Sequence, residues 1–403
     1  MLVRFRASIG VSVLVIAASG CAGTMAAPAP GSQPGVETTV ALPFEALTSV
    51  APGFTPGAPQ GMLPGSLYYL SNDASAISQV WRVEPDGVTI RAVTFEPVNV
   101  DSYAVSPVDG RVAYVSGNQL LQVDANGAGR SVLVSGGLID PNNPFVNRIS
   151  SPAWSPDGAT LAYGNGGLNF YTLSTGSSNR VLEDQITHVA EMPFPQELYW
   201  PGAYSPDGRK LLVMLGYYEG ISFAVYDLAS GALVRMTGDG STDACCEPVW
   251  VPDGRALYTA LPTIGMLSPG MWRVDAASGA VTTLIEGFVE SGTYNFAGYP
   301  SLGPDGLLHY FFASEQSERE VGGRPPLQMV RSGQDGFTGR TVLRPETFEL
   351  LNEALWSPDA SFVVAAMATG ENVYQGGRLD VYYVDGRPAV TVAPFGRDLA
   401  WGP

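Results

Sequence analysis

Basic residues are scarce in this 403-residue chain. Lysine occurs once, at Lys210, and lysine and arginine together number 21 against 38 aspartates and glutamates, a formal net charge of −17. Nucleic-acid binding depends on clustered lysine and arginine that neutralise phosphates, so this composition excludes nucleic acid as a partner. An anionic lipid surface would repel the folded part of the chain for the same reason.

Histidine, cysteine and long apolar runs are also scarce. The presence of only two histidines, His188 and His309, excludes a multi-histidine metal centre. Beyond the N-terminal leader no predominantly apolar segment reaches 18 residues, so the sequence predicts no membrane-spanning helix there. A phosphate-binding loop and a Gly-x-Ser-x-Gly nucleophile motif are both missing. These absences exclude several common enzyme classes.

Glycine and proline, by contrast, are abundant, at 48 and 32 residues. This content predicts many tight turns and little helix. Hydrophobic residues make up 45% of the chain and aromatic residues 10%, which is enough to bury a sizeable core.

The N-terminal segment has the pattern of a secretory signal. Two arginines precede an apolar run over residues 9–18, which is too short to span a bilayer in the mature protein. Cys21 follows Ala-Ser-Gly and resembles the cysteine of a bacterial lipobox, which implies cleavage before Cys21 and attachment of diacylglycerol to its sulfur. Ala18 departs from that pattern, which usually has leucine there. The alternative is cleavage near residues 24–26 and release of a soluble protein.

The leader and a linker precede the folded domain. We assign residues 1–20 to the signal peptide and residues 21–60, rich in Ala, Pro, Gly and Thr, to the lipidated cysteine and a flexible linker. Residues 61–403 contain the repeats described next. The sequence therefore predicts an extracytoplasmic lipoprotein, anchored through Cys21 on the periplasmic or cell-surface side of a bacterial membrane.

A motif of the form Trp-Ser-Pro-Asp-Gly recurs through the folded domain. Its prolines are separated by 45 to 54 residues, a period typical of propellers and solenoids. In each copy an apolar strand ends at proline, Asp-Gly supplies a tight turn, and a second apolar strand follows. Two further strand-like runs complete each repeat, which predicts a four-stranded antiparallel blade. The motif prolines are Pro107, Pro156, Pro206, Pro252, Pro304, Pro358 and Pro403.

The two ends of the domain predict how the blades are joined. Residues 67–70 look like a second strand without a first, and residues 399–401 look like a first strand without a second. Pairing them would complete one blade and remove exposed sheet edges. We therefore predict an all-β fold, a seven-bladed β-propeller closed by the C-terminal strand pairing into the first blade. Six or eight blades are the alternatives.

The repeats resemble those of the TolB-like propeller family, over about 85% of the chain. The resemblance implies an extracytoplasmic propeller that binds other proteins. TolB itself has six blades and a preceding α/β domain, so the blade count and the short leader both depart from it. Similar repeats form the non-catalytic propeller of prolyl-oligopeptidase-like enzymes. Those enzymes add a hydrolase domain with a Gly-x-Ser-x-Gly motif, for which this sequence has neither the motif nor the length.

Loop lengths predict which face of the propeller binds a partner. The connections from first to second and from third to fourth strand are short, apart from residues 332–338. Insertions confined to the other face indicate the binding face, although long loops also drift at little cost. The long segments are residues 136–150, 184–200, 261–270, 286–297, 313–326 and 367–377.

An acidic arc is predicted at the channel mouth on that face. Five residues before the motif prolines of four consecutive blades lie Glu247, Tyr299, Glu353 and Asp398. Neighbouring carboxylates repel one another unless a cation or a basic partner joins them. The arc could therefore hold Ca²⁺ through Glu247, Glu353 and Asp398, or receive arginine or lysine of a partner. The alternative is a solvated acidic rim.

Two adjacent cysteines, Cys245 and Cys246, immediately precede Glu247. Free thiols are unusual in an oxidising compartment, and Cys21 would carry lipid. The pair is a candidate vicinal disulfide, with a reactive thiol pair or two inert thiols as alternatives.

Aromatic residues also gather in the long segments. Tyrosine and tryptophan are favoured interface anchors and stack on sugars. The alternative is that several of these rings only pack the loops against the sheets. We interpret His188 as a surface residue and His309 as a structural one. The candidate interface aromatics are Tyr199, Trp200, Tyr217, Tyr218, Tyr294 and Tyr374.

Three functions are compatible with these features. The leading hypothesis is a non-catalytic scaffold that binds an envelope protein or peptide. The acidic arc would favour a basic partner. The second is binding of a small molecule or glycan at the channel mouth, with Ca²⁺ as a possible cofactor. The third is a metal-dependent propeller hydrolase or lactonase. The fold alone supports none of them over the others.

Overall fold

A computed structural model describes residues 62–143, 145–189, 192–218, 220–238, 248–264, 267–316, 323–370 and 373–403. The predicted signal peptide, Cys21 and the linker lie outside these residues, as do Cys245, Cys246 and Glu247. The described part of the chain consists of strands, turns and irregular segments, without a helix. It accordingly holds no helix with the length and hydropathy needed to cross a bilayer.

Twenty-nine strands are present in the described residues. The first fifteen are β1 (Leu67–Asn72), β2 (Ser78–Val83), β3 (Ile90–Ala92), β4 (Val100–Val105), β5 (Val112–Ser116), β6 (Gln119–Val123), β7 (Ser131–Ser135), β8 (Ser150–Trp154), β9 (Thr160–Gly164), β10 (Gly167–Thr172), β11 (Ser177–Glu183), β12 (Gln185–Val189), β13 (Met192–Tyr204), β14 (Lys210–Tyr217) and β15 (Gly220–Asp227). The remainder are β16 (Leu233–Arg235), β17 (Val249–Trp250), β18 (Ala256–Leu261), β19 (Gly270–Asp275), β20 (Val281–Glu286), β21 (Phe288–Val289), β22 (Thr293–Leu302), β23 (Leu308–Glu315), β24 (Leu327–Ser332), β25 (Thr341–Phe348), β26 (Leu351–Trp356), β27 (Phe362–Met367), β28 (Gly377–Tyr383) and β29 (Val390–Trp401).

The strands form antiparallel sheets in which chain neighbours pair with each other. Strands β4–β7, β8–β11 and β17–β20 form four-stranded sheets, and β12–β16 and β21–β25 form five-stranded sheets. A seven-stranded sheet has the order β26-β27-β28-β29-β1-β2-β3. In it β29 pairs with β28 through residues 390–396 and with β1 through residues 397–401. This all-β arrangement of antiparallel sheets is consistent with a propeller.

Two segments that the sequence assigns to long loops are largely strand. Residues 184–200 form β12 and most of β13, and residues 286–297 include β21 and the start of β22. His188 therefore lies in a strand and not in a loop, although its side chain is exposed as expected. In residues 184–200, Pro193 and Pro195 hide the strand signal, because proline usually marks a break in a sheet.

The repeated Ser-Pro-Asp-Gly turn has a hydrogen-bonding basis. In the repeat at residues 153–164, the Ser155 hydroxyl donates to Asp157 Oδ1 at 2.6 Å, and the same oxygen accepts the Ala159 NH at 3.0 Å. Gly158 closes the turn at φ 67°, a left-handed conformation that glycine adopts without steric cost. The turns at Ser205 and Ser357 repeat the serine-to-aspartate bond. The motif is thus a self-contained turn that joins the first two strands of each repeat.

The first strands of successive repeats contact one another. The Ser151 NH of β8 donates to Ser102 Oγ of β4 at 3.2 Å, and Ser102 and Ser151 are equivalent in the repeat. Trp250 and Trp356 donate their indole NH groups to backbone oxygens of the preceding repeat at 2.9 and 2.8 Å. Because equivalent residues meet, these strands run in the same direction. The connections between sheets and those from second to third strands therefore share one face, the long-loop face, and the remaining connections share the opposite turn face.

The core lies between adjacent sheets. Apolar clusters join residues of neighbouring sheets, as where Tyr258 and Met271 pack with Tyr310 and Val330. His309 is buried beside Trp356, with 5.4 Å between ring centroids. Burial lowers the pKa of His309, which fits the structural role that the sequence predicts.

Candidate functional site

A backbone bulge marks the long-loop end of the first strands. The sequence position five residues before the motif proline coincides with a register shift in strands β4, β8, β13, β22, β26 and β29. Ser151, Tyr299 and Asp398 take φ values of 49°, 55° and 55° at this position. Such left-handed conformations cost non-glycine residues about 1 kcal/mol or more. Bulges re-aim side chains and are typical next to functional sites.

Two members of the predicted acidic arc contact each other through the backbone. Glu353 Oε2 accepts the Asp398 NH at 2.8 Å, and Glu353 Oε1 accepts the Leu399 NH at 2.5 Å. The Asp398 carboxylate accepts a hydrogen bond from the Arg397 guanidinium. Both carboxylates are therefore engaged by donors of this chain. Glu353 holds the bulge at Asp398, a role that spacing in the sequence does not reveal.

Basic residues enter the same neighbourhood. Arg148 and Arg397 lie near Asp101, where burial raises the pKa of the carboxyl and both arginines partly offset that rise. The Tyr103 hydroxyl donates to the backbone oxygen of Asp398 at 2.5 Å. Burial, with the nearby charges of Asp398 and Glu353, raises the pKa of Tyr103 well above its usual value. The surroundings of Asp398 are thus a mixed-charge network in the described residues, whereas the sequence predicts only an acidic arc there.

Tyr299 is placed differently from the two acids. Its ring packs edge-on against Phe311 with centroids 6.0 Å apart, and its backbone oxygen accepts the Trp356 indole NH. Among the described residues no group of three or more histidines, cysteines, aspartates or glutamates is arranged to hold a metal ion. Glu247 lies outside the described residues, so the calcium site of the sequence analysis stays a prediction.

Calcium is expected to have little effect on thermal stability. Glu353 and Asp398 already bind protein donors, and the Arg397 guanidinium offsets the charge of Asp398, so both are weakened as ligands for a cation. We expect millimolar Ca²⁺ to move the unfolding temperature by less than about 1 °C relative to EDTA, because only a ligand that binds the native state raises it. Differential scanning calorimetry measures this directly. A larger rise that EDTA reverses, and that Asp398→Asn abolishes, would instead favour a calcium-dependent ligand site.

A buried glutamate organises the longest hairpins of the long-loop face. Glu197 of β13 accepts hydrogen bonds from the hydroxyls of Tyr199 and Tyr217, the latter at 3.0 Å. Arg235 of β16 donates to both carboxylate oxygens, at 2.7 and 3.3 Å, and Gln185 of β12 donates to the Tyr199 hydroxyl at 3.1 Å. Burial alone would raise the pKa of Glu197, but these donors outweigh it and lower the pKa.

A second network has the same composition. Glu96, buried in the connection before β4, accepts from Tyr114 at 2.7 Å and from Arg130 at 2.7 and 3.0 Å. Neither network was predicted from the sequence. The available signal is a glutamate shortly before the bulge position of a repeat, together with an arginine in or directly before the fourth strand of that repeat.

The candidate interface aromatics divide into exposed and buried groups. Tyr217, Tyr218 and Tyr374 are exposed, as an interface requires. Tyr199 is buried with its hydroxyl on Glu197, so its ring is not available as a surface anchor. Trp200 and Tyr294 are half-buried, which leaves part of each ring accessible.

Exposed apolar side chains are concentrated on the long-loop face. Within the described residues twelve large apolar side chains are exposed there, three on the turn face, and five within strands away from both. Exposed apolar side chains gathered on one face favour that face as an interaction site. The twelve are Phe95, Val98, Leu138, Ile139, Val146, Val189, Met192, Tyr217, Tyr218, Phe288, Val289 and Tyr374.

Acids outnumber arginines on both faces. The described connections of the long-loop face contain six acids and two arginines, Arg148 and Arg324. Six arginines lie in the connections of the turn face, where eleven aspartates accept backbone NH groups of their own turns. The turn-face aspartates thus stabilise their own turns, whereas on the long-loop face Glu96 is ion-paired with Arg130 and the described connections hold few other basic residues. The acids of the long-loop connections are Asp73, Glu96, Asp140, Asp184, Glu290 and Glu349.

Comparisons with known proteins show the fold and leave the activity open. No protein-family model matches the chain, and no curated protein sequence matches it. A puromycin-hydrolyzing peptidase from Mycobacterium tuberculosis is similar with a TM-score of 0.52 and 12% identity, over 83% of this chain and 52% of the peptidase. An oligogalacturonate lyase in complex with manganese is similar with a TM-score of 0.50 and 14% identity, over 84% and 86% of the two chains.

TolB from Acinetobacter baumannii is also among the similar structures, with a TM-score of 0.43 and 19% identity, over 85% of this chain and 68% of TolB. The chain spans about half the length of the peptidase. At these identities the likenesses to the peptidase and the lyase extend to the fold alone.

Proposed function

We propose that this protein is a non-catalytic scaffold that binds another polypeptide through its long-loop face. The observation that carries the proposal is the concentration of exposed apolar side chains on that face. An apolar surface with interspersed tyrosines is typical of protein interfaces, which are anchored by a few aromatic side chains. The surplus of acids over arginines in the same connections favours a partner with basic residues.

A non-catalytic role is supported by the state of three carboxylates, of which Glu96 and Glu197 are buried and Glu353 is half-buried. Glu96, Glu197 and Glu353 each accept hydrogen bonds from arginine, tyrosine or backbone donors of this chain. A general base must instead reach a substrate proton. These three groups fix connections and bulges, so we assign them to the framework of the face and not to a reaction.

The propeller that presents this face is proposed to have seven blades. Seven strands each begin a four-stranded unit. They are β4, β8, β13, β17, β22, β26 and the last part of β29. The pairing of β29 with β1, and the Tyr103 hydrogen bond that joins β4 to β29, support closure of the ring. Closure by the two ends of the chain leaves no open sheet edge between the first and last blades.

We further propose that the propeller works outside the cytoplasm, tethered to a membrane through lipid on Cys21. The support is the basic, apolar and small-residue pattern of the leader, followed by a linker rich in alanine and proline. Residues 1–20 would be removed and residues 21–60 would separate the propeller over 61–403 from the bilayer. An anchored scaffold of this kind would meet its partner at the membrane surface.

Site-specific photo-cross-linking in intact cells tests the binding face. A photoreactive amino acid at Phe288 or Tyr374 should yield polypeptide adducts, because both side chains are more than half exposed on the long-loop face. Matched controls are Val88 and Phe337, which are 79% and 63% exposed on the turn face. Adducts of equal yield from both faces, or only from the turn face, would contradict the proposal.

A further inference from the structure

The hairpin of β12 and β13 projects from the long-loop face with one open edge. The sheet order is β12-β13-β14-β15-β16, so within the described residues no strand pairs with the other side of β12. Proteins usually protect such an edge with lysine, proline or a bulge. The sequence of β12 is Gln-Ile-Thr-His-Val and contains neither lysine nor proline, and the register shift of its pairing with β13 lies at its start, between Gln185 and Ile186, so residues 186–189 pair regularly. Its β-branched residues favour the extended conformation that strand pairing needs.

One face of this hairpin is apolar and accessible. Thr187 lies opposite Phe194, and Val189 lies opposite Met192, so these four side chains share one side of the two strands. Val189 is 58% and Met192 is 69% exposed. Tyr218, from the connection after β14, stacks on Phe194 with centroids 4.3 Å apart and planes at 23°. We call Thr187, Val189, Met192, Phe194 and Tyr218 the hairpin shelf.

The Glu197 network fixes the base of the shelf. It joins Gln185 of β12, Tyr199 of β13, Tyr217 of β14 and Arg235 of β16 around one carboxylate. The Tyr199 NH also donates to Asp184 Oδ1 at 2.7 Å, directly before β12. An edge held in place before binding loses less conformational entropy when a partner strand is added.

Charge selects among the possible occupants of the edge. A second copy of this chain would bring together two molecules of net charge −17, and an anionic lipid surface would be repelled in the same way. Strand addition to an exposed edge is a common mode of peptide recognition, with main-chain hydrogen bonds for affinity and alternate side chains for specificity. The acids of this face then favour basic residues in the added strand.

We propose that the open edge of β12 captures an extended, basic segment of another polypeptide by strand addition, with its alternate apolar side chains packed on the hairpin shelf. This inference rests on the proposed function and assigns the partner's chemistry and position on the long-loop face. The captured segment alternates apolar residues, directed to the shelf, with lysine or arginine directed to solvent on the opposite side of the added strand. Four or five residues match the length of β12.

A designed peptide tests the inference on the full folded protein. The probe is a fluorescent ten-residue peptide of alternating valine and lysine, titrated at 150 mM salt. The double variant Val189→Ser with Met192→Ser should weaken its binding by about tenfold or more, because two apolar side chains leave the contact. Val88→Ser with Phe337→Ser, which removes comparable exposed apolar surface from the turn face, should bind like the parent protein.

Two modified peptides separate strand addition from attraction by charge alone. Methylation of alternate backbone nitrogens along one edge retains every lysine but blocks main-chain pairing, and should abolish binding. Replacing lysine by glutamate should do the same through repulsion. Binding of the methylated peptide at parental affinity, equal binding by the shelf variant, or no binding of the unmodified probe would each overturn the inference.

The cross-linking result distinguishes this inference from the proposed function. Adducts at Phe288 and Tyr374 together with a failed peptide experiment would retain the long-loop face as the binding face and remove β12 as its peptide edge. Tyr218→Ser provides a second shelf variant that leaves β12 and β13 unchanged. Parental unfolding temperatures for all variants show that any loss of binding is not a loss of fold.

Discussion

Glu353→Ala is expected to destabilise the protein by about 3 kcal/mol, since hydrogen bonds to a charged group contribute roughly 1.5–3 kcal/mol each and two are lost. The Glu353 carboxylate accepts the NH groups of Asp398 and Leu399, at the bulge where β29 turns from β28 to β1. Asp398 holds a φ of 55°, which neighbouring contacts must stabilise. Glu353→Gln should cost about half as much, because its amide oxygen can still accept one NH while its amide nitrogen cannot accept the other.

The loss of stability in Glu353→Ala should first appear as local opening around the bulge and only then as unfolding of the whole domain. Trp401 donates its indole NH to the Trp356 backbone oxygen at 2.8 Å, and Tyr103 bonds to the Asp398 oxygen, so both contacts depend on the same stretch of β29. We expect hydrogen exchange of the Asp398 and Leu399 amides to accelerate much more than exchange of the other amides in the sheet. The unfolding temperature should fall by about 5 °C.

Glu290→Ala is the matched control, because Glu290 is an exposed acid of the same face. It changes the net charge equally but removes no contact with β29. Unchanged protection of residues 397–401 in Glu353→Ala, or an equal effect of the two variants, would show that Glu353 does not hold the bulge.

Much of the fold was predictable because its signals are local. The Ser-Pro-Asp-Gly turn is stabilised within a few residues, as the bonds among Ser155, Asp157 and Ala159 show. Its recurrence therefore marks each first strand in the sequence. The strand pairs at the chain ends are also visible as an unmatched second strand and an unmatched first strand. Strand β12 was not predictable, because its partner β13 is interrupted by Pro193 and Pro195.

The site was less predictable because its contacts are distant in sequence. Glu353 and Asp398 are equivalent positions of adjacent repeats, so their proximity follows from the repeat period. The donation of the Asp398 NH to Glu353 does not, since it depends on a bulge that has no residue signature. Tyr199 illustrates the same limit, because aromatic character alone does not distinguish a surface anchor from a hydroxyl donor to a buried Glu197.

The second large effect is expected from acid, where stability should fall steeply below about pH 4. The Ser155 hydroxyl and the Ala159 NH lower the pKa of Asp157, and at Asp207 the corresponding hydrogen bonds outweigh burial and lower the pKa as well. The unfolded chain therefore binds protons on these aspartates before the folded chain does. Turn aspartates with a lowered pKa are Asp86, Asp109, Asp157, Asp207, Asp227, Asp275, Asp335, Asp359 and Asp385.

At higher pH, two effects instead increase the stability of the folded state as the pH falls. Burial raises the pKa of Asp184 to about 6, so the folded state gains a proton first and is favoured as the pH falls through that value. The formal charge of −17 is also relieved as the pH approaches the isoelectric point of about 4.4. Stability measured by urea unfolding should therefore pass through a maximum between about pH 4.5 and 6 and fall on both sides.

Replacing turn aspartates by asparagine separates the titration from the turn itself. Asparagine retains the side-chain oxygen that accepts the backbone NH but cannot titrate. The triple variant Asp157→Asn, Asp207→Asn and Asp359→Asn should therefore remain folded at pH 7 and lose less stability than the parent between pH 4 and 2. An equal loss of stability between pH 4 and 2 in parent and variant would show that other carboxylates govern acid unfolding.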